Sequence, residues 1–298
     1  MELGEKIKSI RISKKMTQNE LAGDQITRNM LSLIENGSAL PSLQTVVYLA
    51  ERLGVPVGLL LAKESEEILY LKMSRMPKIK AAFEKKDYRL CSEMCLELVE
   101  MSPESHDDEL YVLLAECYFG IAVEEFNFGK LHNACRQFDE ACKYSRQTIY
   151  DCNHILGSAA KYFEYMRTLS PTLNSEYENE IYKSTALVFD EFCKYFMIIE
   201  ELEKGSEPLA ETYLQTVQES EKGYAAHIKA LLEMKNENYA EARKILEALI
   251  KYDELACRAI IYRIFSDLER CCRELNDYKS AYEYSVGKVE LLEYMLKE

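Results

Sequence analysis

The stretch that most constrains the fold is residues 17–37, TQNELAGDQITRNMLSLIENG, which predicts two short helices joined by a tight turn. Thr17 is a favourable N-terminal cap, and Glu20, three residues later, completes a capping box that starts the first helix. Gly23 and Asp24 are residue types that favour turns. The first helix is therefore short, and a turn separates it from the next one.

The second helix has a cap, an inward side and a stop signal of its own. Thr27 caps its N-terminus, while Asn36 and Gly37 tolerate the left-handed conformation that ends a helix. Leu31 and Ile34 lie three residues apart, a spacing that places both on one side of a helix. That side is expected to pack inward, so the polar side chains of the other side face solvent.

The outward side of this second helix suits contacts with nucleic acid. Arg28 matches the O6 and N7 acceptors of guanine, and Asn29 matches N6 and N7 of adenine. Two short helices joined by a turn form the helix-turn-helix motif, whose second helix enters the major groove with its N-terminal residues leading. The alternative is that Arg28 and Asn29 are solvated surface residues of a small helical domain.

The other predicted contacts surround these two residues. Met30 and Leu33 would meet a thymine methyl group, whereas Ser32, Asn36 and Gln18 suit phosphate oxygens. The predicted DNA-binding residues are together Gln18, Thr27, Arg28, Asn29, Met30, Ser32, Leu33 and Asn36.

Motifs on both sides of the stretch extend the pattern. Residues 3–11 (LGEKIKSIR) have the character of a preceding helix, residues 40–46 (LPSLQTV) contain a Pro-Ser-Leu helix entry, and residues 49–55 (LAERLGV) contain Ala-x-x-Leu-Gly-Val. With these motifs, about the first 62 residues resemble the phage-repressor-like (XRE) helix-turn-helix family. We expect five helices, at Met1–Lys15, Gln18–Ala22, Thr27–Glu35, Leu43–Leu53 and Val57–Leu61.

Charge is distributed unevenly along the chain. The net charge is −14, but residues 1–65 hold eight Lys and Arg against seven Asp and Glu, and residues 66–298 hold 29 against 44. Phosphate would repel the acidic part, whereas the N-terminal part is compatible with DNA. Basic residues on the first helix are expected to touch the DNA backbone: Lys6, Lys8, Arg11, Lys14 and Lys15. Because the favourable charge is small, dimerisation would be needed to double the contacts.

From Ile68 onward, apolar residues recur at intervals of three and four, and a longer pattern repeats. In four places a polar turn is followed by an aromatic residue or Leu, a small residue three positions on, and in general a larger one four further. The four anchors are Tyr88, Leu131, Tyr239 and Tyr278. The pattern resembles the second helix of the tetratricopeptide (TPR) repeat. The long gap before Tyr239 predicts two degenerate copies, around Pro171 and Pro208. A plain helical bundle is the alternative.

The sequence therefore predicts an all-α fold. A five-helix helix-turn-helix domain occupies residues 1–65, and an α-solenoid of TPR-like helix hairpins occupies residues 66–298 and serves ligand binding and dimerisation. Lys63–Glu67 (KESEE) is either a linker or the start of a connecting helix. Stacked hairpins curve, and the inner faces of their first helices line a groove suited to extended peptides.

A basic stripe in the acidic part marks the predicted ligand site. Arg263, Ser266, Arg270 and Arg273 recur at helical spacing, and arginine is suited to binding a carboxylate through two hydrogen bonds. The alternative is that these arginines neutralise neighbouring acids such as Glu269. The predicted ligand-binding residues are Tyr224, His227, Met234, Arg263, Ser266, Arg270 and Arg273.

No arrangement of residues in the sequence suggests an enzyme, a metal site or a cofactor. The chain has no Gly-rich phosphate loop, no metal-ligand spacing and no nucleophile elbow. Its ten Cys are spaced as small core residues of a reducing compartment, and its four His are scattered. No apolar run is long enough to span a membrane, and no signal-peptide core is present, so we expect a cytoplasmic protein.

The whole architecture resembles the Rgg/PlcR/PrgX-type (RRNPP) regulators. The resemblance implies a homodimer that binds a double-stranded DNA operator with two half-sites, or a palindrome. It also implies a short signal peptide, of the kind used in quorum sensing, that lies in the repeat groove and shifts the dimer between arrangements. The alternative is a DNA-tethered TPR scaffold that binds a protein partner and has no peptide ligand.

Overall fold

A computed structural model describes residues 2–101, 106–175, 190–217, 222–251 and 257–297, with only the backbone of 64–67. Within these residues the chain is all-α, with sixteen helices and no strand. It divides into two compact units, Met1–His106 and Asp107–Glu298. The helices of the first unit are α1 (Leu3–Ser13), α2 (Gln18–Ala22), α3 (Arg28–Glu35), α4 (Leu43–Leu53), α5 (Val57–Leu61), α6 (Glu64–Glu84) and α7 (Tyr88–Met101). Those of the second are α8 (Asp108–Asn127), α9 (Leu131–Gln147), α10 (Asn153–Leu169), α11 (Glu191–Glu203), α12 (Pro208–Thr216), α13 (Lys222–Lys235), α14 (Tyr239–Lys251), α15 (Arg258–Glu274) and α16 (Tyr278–Met295).

The five predicted N-terminal helices are present, and their ends differ from the prediction only at α1 and α3. Helix α1 stops at Ser13 because Lys15 adopts a left-handed backbone, with φ of 57°. Helix α3 begins at Arg28, since Thr27 is its cap and accepts a hydrogen bond from the Met30 amide at 3.1 Å. The stretch Lys63–Glu67 contains the start of a helix, because α6 begins at Glu64.

The core of α1–α5 is aliphatic and small. Ile7, Leu21, Leu31 and Leu49 are fully buried. Gly4 allows α1 to lie directly against α3, since a Cβ at this position would come within 2.0 Å of the Ile34 carbonyl oxygen. These contacts fix the orientation of α3 relative to α1.

Helix hairpins make up most of the rest of the described chain, and α10 lies between two of them in sequence. Helices α6 and α7 pair within the first unit, and α8 with α9, α11 with α12, α13 with α14 and α15 with α16 pair within the second. Each of the four predicted anchors is the first residue of a second helix, namely α7, α9, α14 or α16. First helices of neighbouring hairpins also contact each other, as α11 does α13 and α13 does α15. The predicted TPR-like hairpins are confirmed.

The repeated polar turn has a common backbone structure. Lys86, Gly129, Glu237 and Asn276 each lie two residues before a second helix and have φ between 58° and 77°. The next amide donates to the carbonyl five residues back, at 2.8–3.0 Å in all four turns. This is the hydrogen bond of a Schellman motif, which satisfies carbonyls at the end of a helix. The turn therefore reverses the chain in the same way in each hairpin.

Of the two degenerate copies, the one around Pro208 is the hairpin α11–α12, with Pro208 in the first turn of α12. The copy around Pro171 falls partly outside the described residues. Helix α10 ends at Leu169, just before this proline, and residues 176–189 are not described.

The core of the second unit is rich in aromatic rings. Phe126, Tyr162, Tyr165 and Phe192 pack with ring centroids 4.6–5.9 Å apart, mostly edge to face. Sulfur fills further core positions, because all ten cysteines are buried. Burial raises the pKa of Cys135 and of Cys257 to about 12, so these thiols remain protonated and serve packing. None of the described helices is long and apolar enough to cross a membrane.

Candidate functional site

Helix α3 presents one continuous outward face. Leu31, Ile34 and Glu35 are buried, whereas Arg28 and Asn29 in the first turn are exposed. The outward residues follow one another at steps of four: Arg28, Ser32 and Asn36 form one row, and Asn29 and Leu33 form the adjacent row. Met30 borders the same face and is 39% exposed. The face therefore combines hydrogen-bonding groups at its N-terminal end with an apolar patch.

The turn before α3 requires glycine. Gly23 has φ of 55° and ψ of −138°, and a Cβ there would come within 2.2 Å of the Tyr48 hydroxyl oxygen. That hydroxyl donates to the carbonyl of Ala22 at 2.9 Å, so α4 holds the end of α2. The turn predicted at Gly23 is thus fixed by tertiary contacts as well as by its own conformation.

A buried carboxylate joins the first three helices. Glu35 accepts two hydrogen bonds from Arg11 on α1, from Nε at 2.6 Å and from Nη2 at 3.0 Å, and one from Gln18 on α2 at 2.8 Å. Burial acts to raise the pKa of Glu35, but the hydrogen bonds from Arg11 and Gln18 bring it below its usual value. Sequence reasoning overlooked Glu35, although its position next to Ile34 on the inward side of α3 could have revealed it.

Gln18, which was predicted to contact phosphate, makes a side-chain hydrogen bond within the domain. Its side-chain nitrogen donates one hydrogen bond to Glu35, so this amide also serves the domain, and its contact with phosphate stays a prediction. Thr27 likewise uses its hydroxyl oxygen as the cap of α3. Ser32 is partly buried, and Asn36 is exposed at the end of the helix.

Three of the five basic residues that were expected to touch the DNA backbone are hydrogen-bonded within the domain. The Lys6 ammonium donates to the Ala62 carbonyl, and that of Lys14 to the Leu53 carbonyl. Arg11 binds Glu35 and donates to the Met16 carbonyl at 2.8 Å. Lys8, Lys14 and Lys15 are exposed. Carbonyls at the ends of α5 and α4 attract Lys6 and Lys14, respectively, because a helix C-terminus carries partial negative charge.

In the second unit, three first helices enclose a pocket of about 410 Å³. Met234, Arg263 and Arg270 of the predicted ligand set all line it, on α13 and α15. The other lining residues are Ile199, Leu202, Glu203, Gly205, Leu231 and Lys235. Three cations and one carboxylate thus surround a mainly aliphatic pocket.

The arginines of the predicted stripe differ in their partners. Arg263 pairs with Glu203, and its Nε is buried without a hydrogen-bond partner. Arg273 pairs with Glu269 and is absent from the pocket lining, as the alternative of charge neutralisation predicts. Arg270 is exposed at the pocket. Ser266 donates to the Tyr262 carbonyl within the same helix.

His227 is fully buried and does not line the pocket. Its Nδ1 lies 2.6 Å from the Tyr195 hydroxyl, and its Nε2 lies 2.9 Å from a carboxylate oxygen of Asp267. In the neutral tautomer with the proton on Nε2, the ring donates to Asp267 and accepts from Tyr195. The ring thereby ties α11 to α15 through α13. Tyr224 packs on Tyr195 with ring centroids 4.8 Å apart, so it belongs to the same layer.

Four chains of solved structures match this chain, and they include the following three. PlcR of Bacillus thuringiensis in complex with the peptide PapR7 and DNA is 16% identical, over 100% of this chain and 99% of that chain, with a TM-score of 0.24. A mutant of PrgX is 12% identical over 95% and 100%, with a TM-score of 0.29. The apo form of the competence regulator ComR from Streptococcus vestibularis is 14% identical over 97% and 91%, with a TM-score of 0.21.

No curated protein matches the chain. Residues 4–66 match the family described as "Helix-turn-helix domain", a DNA-binding family and not an enzyme family. The match covers α1–α5, including the capped helix α3 with its outward face. Residues 4–66 of this chain are thus a helix-turn-helix domain of the phage-repressor-like (XRE) type.

Proposed function

We propose that the protein is a sequence-specific transcription regulator that binds its operator as a homodimer and responds to a short signal peptide. The observation that carries the proposal is the exposed face of α3. Arg28 and Asn29 lie exposed in the first turn of this helix, whereas Glu35 in its last turn is anchored to α1 and α2. An anchored helix with unanchored hydrogen-bonding groups at its N-terminus suits entry into the major groove.

The size and charge of the site support a dimer. Helix α3 has eight residues, so its face is about 12 Å long and spans only about three or four base pairs. Lys6, Arg11 and Lys14 are hydrogen-bonded within the domain, so fewer cations remain for direct contacts with phosphate groups. Two copies on half-sites one helical turn apart, about 34 Å, would double both the contacts and the sequence that is read.

The pocket supports a peptide ligand. At about 410 Å³ it holds one end or one or two side chains of a peptide, and its aliphatic wall suits apolar side chains. Arg270 at the pocket suits a carboxylate, either the peptide C-terminus or an acidic side chain. Because α11, α13 and α15 all contribute, a ligand there favours one arrangement of three hairpins. A peptide that favours one placement of the two DNA-binding domains would change operator affinity.

The test begins with selection of bound sites from random double-stranded DNA by the full-length wild type and by Arg28→Ala. We expect the wild type to enrich a palindrome, and Arg28→Ala to bind it about 10- to 100-fold more weakly, since one bidentate base contact contributes about 1–3 kcal/mol. Arg89→Ala, which removes an exposed arginine on α7, is the matched control and should bind normally. Enrichment of the same site by Arg28→Ala would refute base reading by α3.

The peptide part is tested with the selected DNA. Short synthetic peptides of random sequence, with either free or amidated C-termini, are screened for a change in DNA affinity. We expect active peptides to lose their effect with Arg270→Ala and to keep it with Arg273→Ala, because Arg270 lines the pocket and Arg273 does not. If no peptide changes DNA affinity and the TPR-like hairpins bind a protein partner, the alternative of a DNA-tethered scaffold replaces this part of the proposal.

A further inference from the structure

The last helix, α16, carries an apolar stripe that no described residue covers. Tyr278, Tyr282, Val286 and Val289 are 66%, 71%, 37% and 51% exposed. Their spacing of four, four and three residues keeps them on one side of the helix, over about 16 Å of its length. The opposite side of α16 packs inward through Ala281 and Met295. The stripe is therefore separate from the contacts that hold α16 in its hairpin.

We propose that this stripe, which we call the α16 stripe, pairs with the α16 stripe of a second copy of the chain in antiparallel orientation. The inference deepens the homodimer proposed above and rests on it. Contiguous exposed aromatic and aliphatic side chains at helical spacing are typical of surfaces that pack against another helix. The charges beside the stripe also favour a second copy of the chain as the partner.

The charges beside the stripe are self-complementary only when the two helices run in opposite directions. Lys279, 86% exposed, flanks the stripe near the start of the helix, and Glu290 lies on the same flank one turn from its end. In an antiparallel pair, equal flanks face each other. The register that places Tyr282 opposite Val286 of the second copy also places Lys279 opposite Glu290 of the second copy, to within one residue. The two-fold axis repeats this contact.

A parallel pair would lack this complementarity. It would bring opposite flanks of the two helices together, so Lys279 of one copy would not face Glu290 of the other. Antiparallel helices also place the positive end of one dipole beside the negative end of the other. Lys279 lies 4.0 Å from Glu283 in its own helix, and both side chains are exposed on this flank.

The experiment measures the mass of the full-length protein by light scattering after gel filtration, across micromolar concentrations. We expect a dimer for the wild type and a dimer dissociation constant raised at least about tenfold for Tyr282→Asp, since the substitution acts twice in a two-fold interface. Tyr150→Asp is the matched control, because Tyr150 is an exposed tyrosine in the turn between α9 and α10. Equal thermal unfolding of both variants shows that each is folded.

Charge reversal tests the register. Lys279→Glu and Glu290→Lys should each weaken the dimer by a few-fold, roughly as exposed ion pairs do, and the double variant should restore it. A wild-type dimer that is unchanged by Tyr282→Asp would overturn the α16 stripe as the interface but leave the homodimer intact. A monomeric wild type would refute both. A dimer that the double charge reversal weakens further would refute the antiparallel register.

Discussion

In the helix-turn-helix domain, the helices are joined by a buried ion pair that lies among aliphatic side chains. In the second unit, they are joined by a buried histidine that lies among aromatic rings. Glu35 joins α1, α2 and α3 within an aliphatic core. His227 joins α11, α13 and α15 among tyrosines. The Glu35 network anchors α3, which has one exposed face. The His227 network lies on the three helices that enclose the pocket. Each polar network thus lies on helices that carry one of the two proposed binding sites.

The difference also concerns how strongly each network depends on charge. The Glu35 contact is ionic and bidentate, so losing one partner leaves a charge buried. The His227 contact needs no net charge on the ring, so losing one partner leaves only a polar atom unpaired. The following predictions use this contrast, from the largest expected effect to the smallest.

Glu35→Gln should destabilise the helix-turn-helix domain by about 3 kcal/mol, because Arg11 keeps its charge but loses its carboxylate. Hydrogen exchange of the amides of α1 and α3 in the full-length protein measures the effect, and protection should fall by roughly two orders of magnitude. Glu51→Gln, at an exposed position of α4, should change protection by less than about 0.5 kcal/mol. Equal protection in both variants would show that the Glu35 network is not needed for stability.

The same contact gives the domain an acid limit. Because the pKa of Glu35 is lowered in the folded state, its contribution is complete above the unfolded pKa, near 4.3, and is lost as the pH falls through the lower folded pKa. Wild-type protection of α3 should therefore drop below about pH 4, and the drop should be shallower in Glu35→Gln.

Tyr195→Phe should cost about 1–3 kcal/mol of the stability of the second unit, because Nδ1 of the buried His227 loses its hydrogen-bond partner. Urea unfolding followed by tyrosine fluorescence measures it. The matched control is Tyr294→Phe, which removes the hydroxyl of a tyrosine that is 49% exposed and should shift stability by less than about 0.5 kcal/mol. A neutral Tyr195→Phe would mean that the histidine network does not hold the three helices.

Glu237→Gly should stabilise the α13–α14 hairpin by up to about 1 kcal/mol, because Glu237 has φ of 60° and glycine adopts this conformation without strain. Lys244→Gly, in the interior of α14, should have the opposite sign and cost about 0.5–1 kcal/mol. Urea unfolding of the two variants compares them. Destabilisation by both would show that the side chain of Glu237 contributes more than its backbone strain costs.

Much of the fold could be predicted because its signals are local. The cap at Thr27, the spacing of Leu31 and Ile34, and the polar turns before Tyr88 and Tyr278 each involve residues within a few positions of each other. Helix periodicity decides which side chains face inward before any tertiary contact forms. The outward face of α3 follows from the same reasoning, since it is the remainder of a short helix whose inward side is known.

The sites were predicted less completely because their contacts are distant in sequence. Lys6, Arg11 and Lys14 resemble surface cations until their partners, 24 to 56 residues away, are known. His227 is chemically suited to a groove, but partners 32 and 40 residues away place it in the core. Of the predicted arginine stripe, Arg263 and Arg270 line the pocket, and Arg273 pairs with Glu269 instead.

The sequence by itself determined an all-α chain, a helix-turn-helix at its N-terminus, hairpins with a recurring turn, and the residues that lie on the outer face of α3. These depend on caps, periodicity and backbone preferences, which act within one or two helical turns. Only the tertiary structure decided which charges are buried in networks, which arginines line the pocket and which apolar stripe of α16 stays uncovered. Burial and pairing depend on neighbours from distant helices, and the free energy of a charge depends on those neighbours more than on its own place in the chain.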